Sequence, residues 1–452
     1  METPSTETRK RYAVWEITLK CNLACRHCGS RAGGKRDDEL STDEALDLVR
    51  QMAEVGVHEV TLIGGEAYLR KDWLQIAAAV KRHGMRCTLQ TGGLGITDEL
   101  ARRMAEAGID AAGVSIDGLE ETHDWIRGKP GSHRWALEAM RALRRAGIRV
   151  TANTQINRRS IRELPLVYEQ LRDAGMTVWQ IQATVPMGNA AEEVEMLLQP
   201  AEFVDVFPVL ALLSARGEAE GVRISAGNNL GYFGPYERTL RNLEGGVYRG
   251  CTAGTDALGI EANGAVKGCP SLPSGPYTGG NVREKTLREI VERAPELRFN
   301  EGADSPAGTD HLWGFCQGCE FAAACRGGCT WASHVFFNRR GNNPYCHHRA
   351  LVRAAEGKRE RVYLRMASLV KRPFDFGTFG LREEDASAPW PEGDPWHFTL
   401  EQVRWPAAWL AETPDLPRLL ADERDDTVAY YRRRYGAPRA VASMATAAAA
   451  PA

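Results

Sequence analysis

The sequence predicts an α/β fold for the first half of the chain, because one unit repeats from residue 12 to about residue 221. In each unit a helical pattern ends at a glycine, and an apolar residue then opens a β-rich run. The glycines that end these patterns are Gly56, Gly84, Gly108, Gly147 and Gly175. Glycine is favoured just after a helix because it tolerates positive φ. Helices that alternate with strands in this way predict a parallel sheet with right-handed crossovers.

The individual elements are short and regular. Ser41 and Glu44 form a capping box, and apolar residues from Ala45 to Ala53 then share one helical face. The predicted strands are apolar runs at 12–18, 60–63, around Cys87, 112–116, 148–152 and 178–181. Six such strands make either a six-unit β/α barrel or an open doubly wound sheet. In both folds ligands bind at the C-terminal ends of the strands.

Polar residues or glycines follow each predicted strand, at the edge where ligands bind in such folds. In chain order they are Cys21–Cys28, Gly64-Gly65-Glu66, Gln90-Thr91-Gly92-Gly93, Ser115 and Asp117, Asn153 and Thr154, and Gln180 and Gln182. Because parallel strands end at the same edge, we expect these groups to converge on one ligand site.

The composition is that of an ordinary soluble protein with many thiols. The length of 452 residues allows about two or three domains, and the 43% hydrophobic and 26% charged residues are typical of globular chains. A net charge of −2 indicates neither a nucleic-acid nor a membrane partner, and no secretory signal or membrane-spanning run is recognisable. We therefore expect a cytoplasmic protein. Eleven cysteines then predict metal ligation or catalysis rather than disulfides, with Cys87 alone as a buried strand residue.

Three of the cysteines stand within eight residues directly after the first predicted strand: Cys21, Cys25 and Cys28. A thiolate triad on one short loop can bind three irons of an iron–sulfur cluster and leave the fourth iron open. The alternative is a structural zinc site. Zinc prefers four ligands, and His27 lies too tightly between two cysteines to complete that set.

This spacing resembles the signature of the radical SAM superfamily. The resemblance implies a partial (β/α)6 TIM-like barrel with a [4Fe–4S] cluster at Cys21, Cys25 and Cys28 and with S-adenosylmethionine (SAM) on the open iron. It implies that electron transfer into SAM releases a 5′-deoxyadenosyl radical, which abstracts a hydrogen atom from the substrate. It also implies an electron donor such as a flavodoxin or a ferredoxin.

The segment after the second predicted strand resembles the part of this superfamily that binds the SAM amino group. Gly64 and Gly65 let a ligand approach bare backbone, and Glu66 follows them. The family usually ends this segment with proline, whereas Ala67 stands here. A Gly-Gly-Glu triplet is a weak signal by itself, so its position at a strand end carries the interpretation.

Other residues resemble SAM contacts by their position. Ser115 matches the family's ribose-contacting serine, and Arg127 matches the arginine that meets the SAM carboxylate in peptide-modifying members. The alternative for Arg127 is a solvated helix residue. Three strand-end amides either bind SAM or substrate or satisfy backbone groups; they are Gln90, Asn153 and Gln182.

Seven more cysteines begin at Cys251. Asn263 and Gly264, flanked by apolar residues, predict a β-hairpin that brings Cys251 and Cys269 together. The others follow with gaps of two, five and three residues and then a longer gap; they are Cys316, Cys319, Cys325, Cys329 and Cys346. Four of the seven fit a zinc ribbon, but seven thiols exceed one zinc site and fall one short of two.

The complete pattern from Cys251 to Cys346 resembles the SPASM extension of radical SAM enzymes. The resemblance implies two auxiliary iron–sulfur clusters that pass electrons. Cluster I is expected at Cys251, Cys269 and Cys329, and its last iron has a non-cysteine ligand, stays open or binds substrate. Cluster II is expected at the four remaining thiols, Cys316, Cys319, Cys325 and Cys346.

The motifs divide the chain into five regions. These are a barrel at 12–221, a linker or substrate-facing loop at 222–250, a SPASM domain at 251–348, a helical C-terminal extension at 349–439 and a disordered tail at 440–452. We expect an apolar helix from Pro200 to about Ala215 and a basic helix from about Arg349 to Lys371. Tryptophans of the extension are expected to anchor it to its own domain; they are Trp390, Trp396, Trp405 and Trp409.

For function, we expect an enzyme that oxidatively crosslinks or otherwise modifies residues of a small ribosomal peptide, since such maturases dominate the SPASM group. One alternative is an oxidoreductase that acts on a small molecule such as a tetrapyrrole or an aminoglycoside. Another is a non-catalytic metal-cluster scaffold. Sulfatase maturation is disfavoured, because Pro270 stands where those enzymes carry an aspartate base.

The sequence also bears on where a peptide is bound and on which group moves a proton. No winged-helix peptide-binding domain is recognisable before Tyr12, so we expect the C-terminal region or a separate leader-binding protein to hold the peptide. The sequence does not single out a catalytic base. The candidates near the predicted ligand site are Asp117, Glu66, His123 and Asp124.

Overall fold

A computed structural model describes residues 10–241, 246–301, 306–391 and 397–436. Within them, one ten-stranded sheet organises the chain. Its first seven strands are β1 Arg11–Glu16, β2 Val57–Ile63, β3 Arg86–Thr91, β4 Ala111–Ser115, β5 Arg149–Ile156, β6 Val178–Ala183 and β7 Arg223–Ala226. Each of these strands pairs in parallel with the next. The parallel α/β fold is therefore confirmed.

Helices connect the parallel strands. They are α1 Thr42–Glu54, α2 Trp73–Arg82, α3 Asp98–Glu106, α4 Glu120–Arg127, α5 Ser132–Arg145, α6 Leu164–Asp173 and α7 Phe203–Ala219. The capping box predicted for α1 is present, because the Glu44 amide donates to the Ser41 hydroxyl at 3.3 Å and Glu44 Oε2 accepts from the Ser41 amide at 2.7 Å. Leu48 and Met52 of the apolar face are fully buried. Packing of this face onto the sheet therefore fixes α1.

A seventh parallel strand, β7, follows the six strands that we expected in this part of the chain. Strand β7 pairs with β6 and places Ile224 beside Trp179, and both side chains are buried. The expectation of a linker at 222–250 is wrong for this part, because four residues are too few to show a period in the sequence. A short helix, α8 Glu237–Arg241, lies further along the same segment.

The sheet also extends into the cysteine-rich region. Strand β8 (Ala257–Ile260) pairs in parallel with β1, and antiparallel strands β9 (Ala265–Lys267) and β10 (Thr278–Asn281) follow it outward. The order is β10-β9-β8-β1-β2-β3-β4-β5-β6-β7, so the described strands form an open, partial barrel. The hairpin predicted at Asn263 and Gly264 joins β8 to β9 and is confirmed.

The remaining elements cover the SPASM region and the C-terminal extension. Their helices are α9 Leu287–Arg293, α10 Ala322–Cys325, α11 Thr330–Phe337, α12 His347–Ala355, α13 Ala407–Glu412 and α14 Leu416–Tyr435. Between α12 and α13, the antiparallel strands β11 (Lys358–Met366) and β12 (Thr378–Asp385) form a separate hairpin. The basic helix expected over 349–371 is therefore wrong beyond Ala355. Gly357, with a φ of 72°, ends that helix and turns the chain into β11.

Three of the four tryptophans of the extension lie in the described residues, and they pack onto their own chain, as predicted. Trp409 is 2% exposed, and its ring lies 6.0 Å from that of Tyr168 on α6. Trp405 lies 6.4 Å from Trp409, and Trp390 lies 4.0 Å from His397. Trp396 and the tail expected at 440–452 lie outside the described residues.

One helical stretch, Val194–Ala219, contains α7 and is long and apolar enough to cross a membrane, with a mean hydropathy of 1.6. However, 72% of its most apolar part is buried inside the protein. The predicted apolar helix from Pro200 is thus a core helix, and it ends at Ala219 rather than near Ala215.

Candidate functional site

The loop after β1 carries the first three cysteines and is held by its own backbone. The Cys21 amide donates to the Gly33 carbonyl at 2.9 Å, and the Cys28 amide donates to the Cys25 carbonyl at 3.2 Å. The Ala24 amide donates to the Arg127 carbonyl at 3.1 Å, which ties the loop to the end of α4. These bonds fix the thiols without using their sulfur atoms.

The two glycines after β2 allow a close backbone contact with this loop. A Cβ on Gly64 would lie 2.2 Å from the Thr18 carbonyl oxygen, and one on Gly65 would lie 2.3 Å from the Lys20 carbonyl oxygen. The Gly65 amide donates to Thr18 at 2.9 Å, and the Glu66 amide donates to Lys20 at 2.8 Å. Glycine is required at both positions because a side chain would collide with the backbone of the loop. This reason holds whether or not a ligand also approaches the two glycines.

The first cavity, of about 190 Å³, lies where these segments meet. Its walls contain most of the residues that the sequence pointed to: Cys21, Cys25, Cys28, Gly64, Gly65, Glu66, Gln90, Ser115 and Arg127. Asn153 and Gln182 are not among its lining residues. His27 and Gln155 line it although we did not predict them as ligand contacts. Gln155 lies two residues after Asn153 on β5, and this period-two spacing is a signal that sequence reasoning can use.

Asp117 lies at the centre of a buried network beside this cavity. Its Oδ2 accepts from Arg127 Nη2 at 2.5 Å and from His27 Nε2 at 3.0 Å, and its Oδ1 accepts from the Gln155 amide at 3.0 Å. Burial alone raises the pKa of this carboxyl, but Arg127 and His27 outweigh burial and hold the pKa well below its usual range. Arg127 Nη1 also lies 3.7 Å from Cys25 Sγ. Arg127 is therefore buried and paired, not solvated.

His27 presents one ring nitrogen to the cavities. His27 Nε2 is engaged with Asp117 Oδ2, which leaves Nδ1 as the second polar atom of the ring. His27 is 5% exposed, and its Nδ1 has no hydrogen-bond partner among the described residues. This atom is available to a ligand.

Glu66 is a second buried carboxyl, and within the described ranges it forms no ion pair. Thr91 Oγ1 donates to its Oε2 at 2.7 Å, and the Gly92 amide donates to its Oε1 at 2.5 Å. Burial raises the pKa of Glu66 to about 7, against the lowering effect of these bonds. A Cβ on Gly92 would lie 2.8 Å from Glu66 Oε1, so glycine allows this contact.

The remaining candidates have local partners. Asn153 Nδ2 donates to Gln90 Oε1 across Gly113, whose missing side chain makes room for the pair. Gln182 Nε2 donates to Gln180 Oε1 at 3.0 Å. The side-chain amides within each of these two pairs thus satisfy one another, which agrees with a structural role for them.

His123 and Asp124, two of the four candidate bases, do not line the first cavity. His123 is fully buried, its Nδ1 accepts from the Asp117 amide at 3.1 Å, and burial lowers its pKa to about 3. Asp124 accepts from the Ser132 hydroxyl at 2.9 Å and from the His133 amide at 2.8 Å, at the start of α5. Both residues organise helix ends rather than face a ligand.

A second cavity, of about 210 Å³, adjoins the first and shares His27 and Gln155 with it. Residues from three regions line it. The barrel contributes Glu16, Val185 and Met187, the cysteine-rich region Pro270, Ser271 and Trp331, and the C-terminal extension Phe374. Trp331 Nε1 donates to Met187 Sδ at 3.2 Å, which joins two of these regions. Sequence reasoning missed this cavity, because its walls come from segments far apart in the chain.

The later cysteines fall into two groups. Burial raises the pKa of Cys269 to about 11, and Cys251 adds to this effect; Cys251 and Cys269 act likewise on buried Cys329. Burial also raises the pKa of Cys325, with contributions from three neighbours, Cys346, Cys316 and Cys319. The thiols in each group are thus close enough to interact, and the groups are those that the SPASM resemblance implies. Cys87 is fully buried in β3, as expected.

The side chains of the described residues do not form a site for a single metal ion. Within these ranges, no three His, Cys, Asp or Glu side chains form a group that could hold one ion. An iron–sulfur cluster differs from a single ion because each thiolate binds a different iron.

Comparisons with known proteins agree with these motifs. The family model of the radical SAM superfamily matches residues 15–157, and that of the SPASM iron–sulfur cluster-binding domain matches residues 251–320. The chain is a radical SAM enzyme with a SPASM domain. Radical SAM enzymes of this kind use SAM, a [4Fe–4S] cluster and auxiliary iron–sulfur clusters.

Curated relatives of this radical SAM enzyme have different substrates in their names. An AdoMet-dependent heme synthase of Methanosarcina barkeri is 28% identical over 361 residues, which are 75% of this chain and 97% of the relative. The mycofactocin maturase MftC of Mycolicibacterium smegmatis is 28% identical over 325 residues, covering 71% of this chain and 78% of the relative.

Solved structures show the same fold. Native anSMEcpe with bound AdoMet has a TM-score of 0.59 and 18% identity, over 75% of this chain and 95% of that chain. SuiB of Streptococcus suis bound to S-adenosylmethionine has a TM-score of 0.56 and 15% identity, over 72% of this chain and 73% of that chain. At these identities the likeness shows the fold alone.

The described residues fit the cofactors of this family. Three thiols face one cavity, two glycines expose the backbone beside them, and His27 Nδ1 is a buried polar atom with no hydrogen-bond partner in the part of the chain that the structure describes. The seven later thiols are buried or half-buried in two groups. The donor set is thus thiol-rich, as iron–sulfur clusters require.

Proposed function

We propose that this radical SAM enzyme is a cytoplasmic oxidoreductase that modifies a side chain of a small ribosomal peptide. The observation that carries the proposal is the second cavity, between the loop of Cys21 and the residues that follow Cys269 and Cys329. A group held there lies between the first cluster loop and the thiols expected at cluster I.

The size of the cavity favours a peptide side chain. Its volume of about 210 Å³ is below the roughly 300–1,000 Å³ of sites that enclose a drug-sized ligand. A single peptide side chain fits within this space. The mixed wall of Val185, Met187, Trp331 and Phe374 suits an apolar or aromatic group.

The assignment of cofactor ligands is part of the proposal. Cys21, Cys25 and Cys28 hold the [4Fe–4S] cluster, and SAM occupies the first cavity, with Gly64, Gly65, Glu66, Ser115 and Arg127 around it. Cysteines of the first later group, Cys251, Cys269 and Cys329, hold auxiliary cluster I. The second group, Cys316, Cys319, Cys325 and Cys346, holds auxiliary cluster II. When bound, SAM and the first cluster supply the radical that abstracts a substrate hydrogen atom.

The chain's own residues orient and enclose this chemistry. Asp117 holds Arg127 beside Cys25, and Trp331 and Phe374 give the second cavity an aromatic wall. A flavodoxin or ferredoxin provides the electron, and a separate leader-binding protein or the C-terminal extension holds the rest of the peptide.

A tetrapyrrole is the second candidate substrate. It is favoured by the heme synthase of M. barkeri, because the match covers 97% of that relative. On this alternative, only a substituent of the ring enters the second cavity.

The test compares the two substrates under the same anaerobic conditions. The holoenzyme, reconstituted with iron and sulfide, is incubated with SAM, dithionite and either a synthetic peptide that contains tyrosine and tryptophan or iron-coproporphyrin. We expect 5′-deoxyadenosine release to depend on the peptide, and the peptide to lose hydrogen in its mass spectrum.

The matched control is the triple variant Cys21→Ala, Cys25→Ala and Cys28→Ala, which should form no 5′-deoxyadenosine while it keeps the auxiliary iron. Turnover of iron-coproporphyrin but not of the peptide would replace the peptide proposal with the tetrapyrrole. Protein that is fully loaded with iron but never cleaves SAM would indicate a scaffold.

A further inference from the structure

Glu16 ends strand β1 and lines the second cavity. The residue is 3% exposed, so its carboxylate is buried except where it meets this space. Its Oε1 has no hydrogen-bond partner among the described residues, and the nearest cation, Arg36, lies 3.8 Å away. A buried carboxylate oxygen without a donor is unfavourable unless a ligand supplies one.

The charged neighbours of Glu16 are occupied with another carboxylate. Arg36 Nη1 lies 2.9 Å from Glu261, and Lys267 Nζ lies 3.0 Å from Glu261. Ser274 Oγ also donates to Glu261. Glu261 thus accepts hydrogen bonds from both cations, whereas Glu16 lies beyond hydrogen-bond distance of Arg36, the cation nearest to it.

This arrangement does not look like a structural ion pair. A structural pair keeps its partners within hydrogen-bond distance, as Glu261 does. Burial raises the pKa of Glu16 to about 7, so its ionised form is present near and above neutral pH. In that form the two carboxylates, Glu16 and Glu261, balance the two cations, Arg36 and Lys267, and Glu16 Oε1 lacks a hydrogen-bond donor among the described residues.

We propose that Glu16 is a substrate-binding residue, and that it accepts a hydrogen bond from an aromatic side chain carrying one O–H or N–H group. The inference rests on the proposed peptide substrate and adds to it the class of side chain that enters the cavity. Tyrosine and tryptophan combine an apolar body with a single polar donor, and such donors find a partner when they are buried.

The rest of the cavity matches this kind of side chain. Val185, Met187 and Trp331 give it an apolar and aromatic wall, and Phe374 adds a ring whose other neighbour, Lys267 Nζ, lies 3.6 Å from the ring centre. An aliphatic side chain would fill the space but leave Glu16 Oε1 unpaired. A lysine would bring a charge that the balanced cluster does not need.

The test uses two probes that differ by one hydroxyl group, N-acetyl-L-tyrosinamide and N-acetyl-L-phenylalaninamide. Their dissociation constants are measured by calorimetry on the SAM-loaded, anaerobically reconstituted holoenzyme. The wild type should prefer the tyrosine probe by about tenfold or more, because hydrogen bonds to charged groups are among the stronger ones. In Glu16→Leu this preference should fall to about one.

A control and a second variant keep the test decisive. Glu59→Gln, which removes a carboxylate on β2 outside both cavities, should keep the wild-type preference. Glu16→Leu should also load iron and unfold at or above the wild-type temperature, because an apolar replacement of a poorly paired buried charge is neutral or stabilising. If the leucine variant loads iron poorly, Glu16→Gln serves instead, with a reduced preference expected.

The outcomes separate this inference from the proposed function. Binding of both probes with equal affinity, or a preference that survives in Glu16→Leu, overturns the role of Glu16 and leaves the peptide proposal standing. A clear loss of stability in both Glu16 variants also overturns it, since the residue is then structural. If neither probe binds while iron-coproporphyrin does, the peptide proposal itself has failed.

Discussion

Asp117 is the residue on which several others beside the first cavity depend. Its carboxylate accepts from Arg127 and from His27, and both partners are buried. We considered it as a base, but its low pKa makes it a poor proton acceptor. Its geometry indicates a positioning residue that holds Arg127 toward Cys25 and sets the ring of His27.

Asp117→Asn should lower the free energy of unfolding by about 3–5 kcal/mol, because it leaves Arg127 buried without its anion. The measurement is urea unfolding of the anaerobic holoenzyme. The exposed Asp98, which pairs with Arg145, provides the control, and Asp98→Asn should be close to neutral. Equal, small effects of the two variants would contradict the central role of Asp117.

The pair of Asp117 and Arg127 also predicts that stability depends on pH. Since the folded-state pKa of Asp117 lies below its unfolded value of about 3.9, its contribution is complete above that value and is lost as the pH falls further. The difference in unfolding free energy between the wild type and Asp117→Asn should therefore be constant from about pH 5 to 8 and shrink below about pH 4. A difference that instead falls as the pH rises above neutral would show that the pKa shift has the opposite sign.

The glycines after β2 make a sharper prediction at this scale. Gly65→Ala should displace the Cys21 loop, because the new Cβ would lie 2.3 Å from the Lys20 carbonyl oxygen and backbone cannot move aside. We expect less iron at the first cluster after reconstitution. Gly34→Ala is the matched control, since a Cβ there meets nothing within 4 Å. Full iron loading by Gly65→Ala would disprove the backbone contact.

At the scale of elements, the segment between β11 and β12 brings the C-terminal extension to the site. The Phe374 amide donates to the Gly29 carbonyl at 3.0 Å, and the Gly188 amide donates to the Asp375 carbonyl at 2.7 Å. Arg31 Nε donates to Asp375 Oδ1 at 2.8 Å, and both side chains are 11% exposed. These contacts hold Phe374 in the wall of the second cavity.

Asp375→Asn should loosen this segment, because Arg31 then loses a largely buried anion. Limited proteolysis with trypsin at the exposed Lys371 should accelerate about fivefold for each kcal/mol of local stability lost. Asp385→Asn, at the far end of the same hairpin, is the control and should leave the cleavage rate unchanged. Equal rates in all three proteins would show that the ion pair does not anchor the segment.

Helices and strands differ in how well the sequence predicts them. Helix α1 is predicted by its capping box and its apolar face, and α7 is predicted by its apolar composition. The expected helix over 349–371 fails because basic composition suits either structure, and only pairing with β12 selects the strand β11. Strand β7 is missed for a similar reason, since pairing with β6 defines it.

At the scale of the whole molecule, β1 is shared between two regions. It pairs with β2 on one side and with β8 of the cysteine-rich region on the other. The barrel and the SPASM region therefore form one continuous sheet rather than two separate sheets. This continuity sets the second cavity between them.

Truncation after residue 250 should therefore leave an unstable protein, because β1 becomes an open edge and the second cavity loses Trp331 and Phe374. We expect aggregation and poor iron loading at Cys21, Cys25 and Cys28. Truncation after residue 436 removes none of the described contacts and should unfold at the wild-type temperature. A stable, iron-loaded fragment 1–250 would show that the barrel folds independently.

The sequence by itself determined the parallel α/β fold, the two cysteine constellations and most of the first cavity. The reason is that these features depend on local periodicity, on glycine at strand and helix ends, and on the fixed rule that parallel strands end at one edge. Gly65 and Ser115 follow from the strand-end rule, whereas Arg127, at the end of α4, is predicted only by the resemblance to the radical SAM superfamily.

Only the tertiary structure decided the pairing of Asp117 with Arg127, the backbone reason for Gly64 and Gly65, and the second cavity. Glu16 stands more than 300 positions before Trp331 and Phe374, and the three residues carry no shared pattern. They meet because β8 packs beside β1 and because Phe374 bonds to the Cys loop at Gly29. Long-range contacts of this kind arise from packing, and no local period in the chain encodes them.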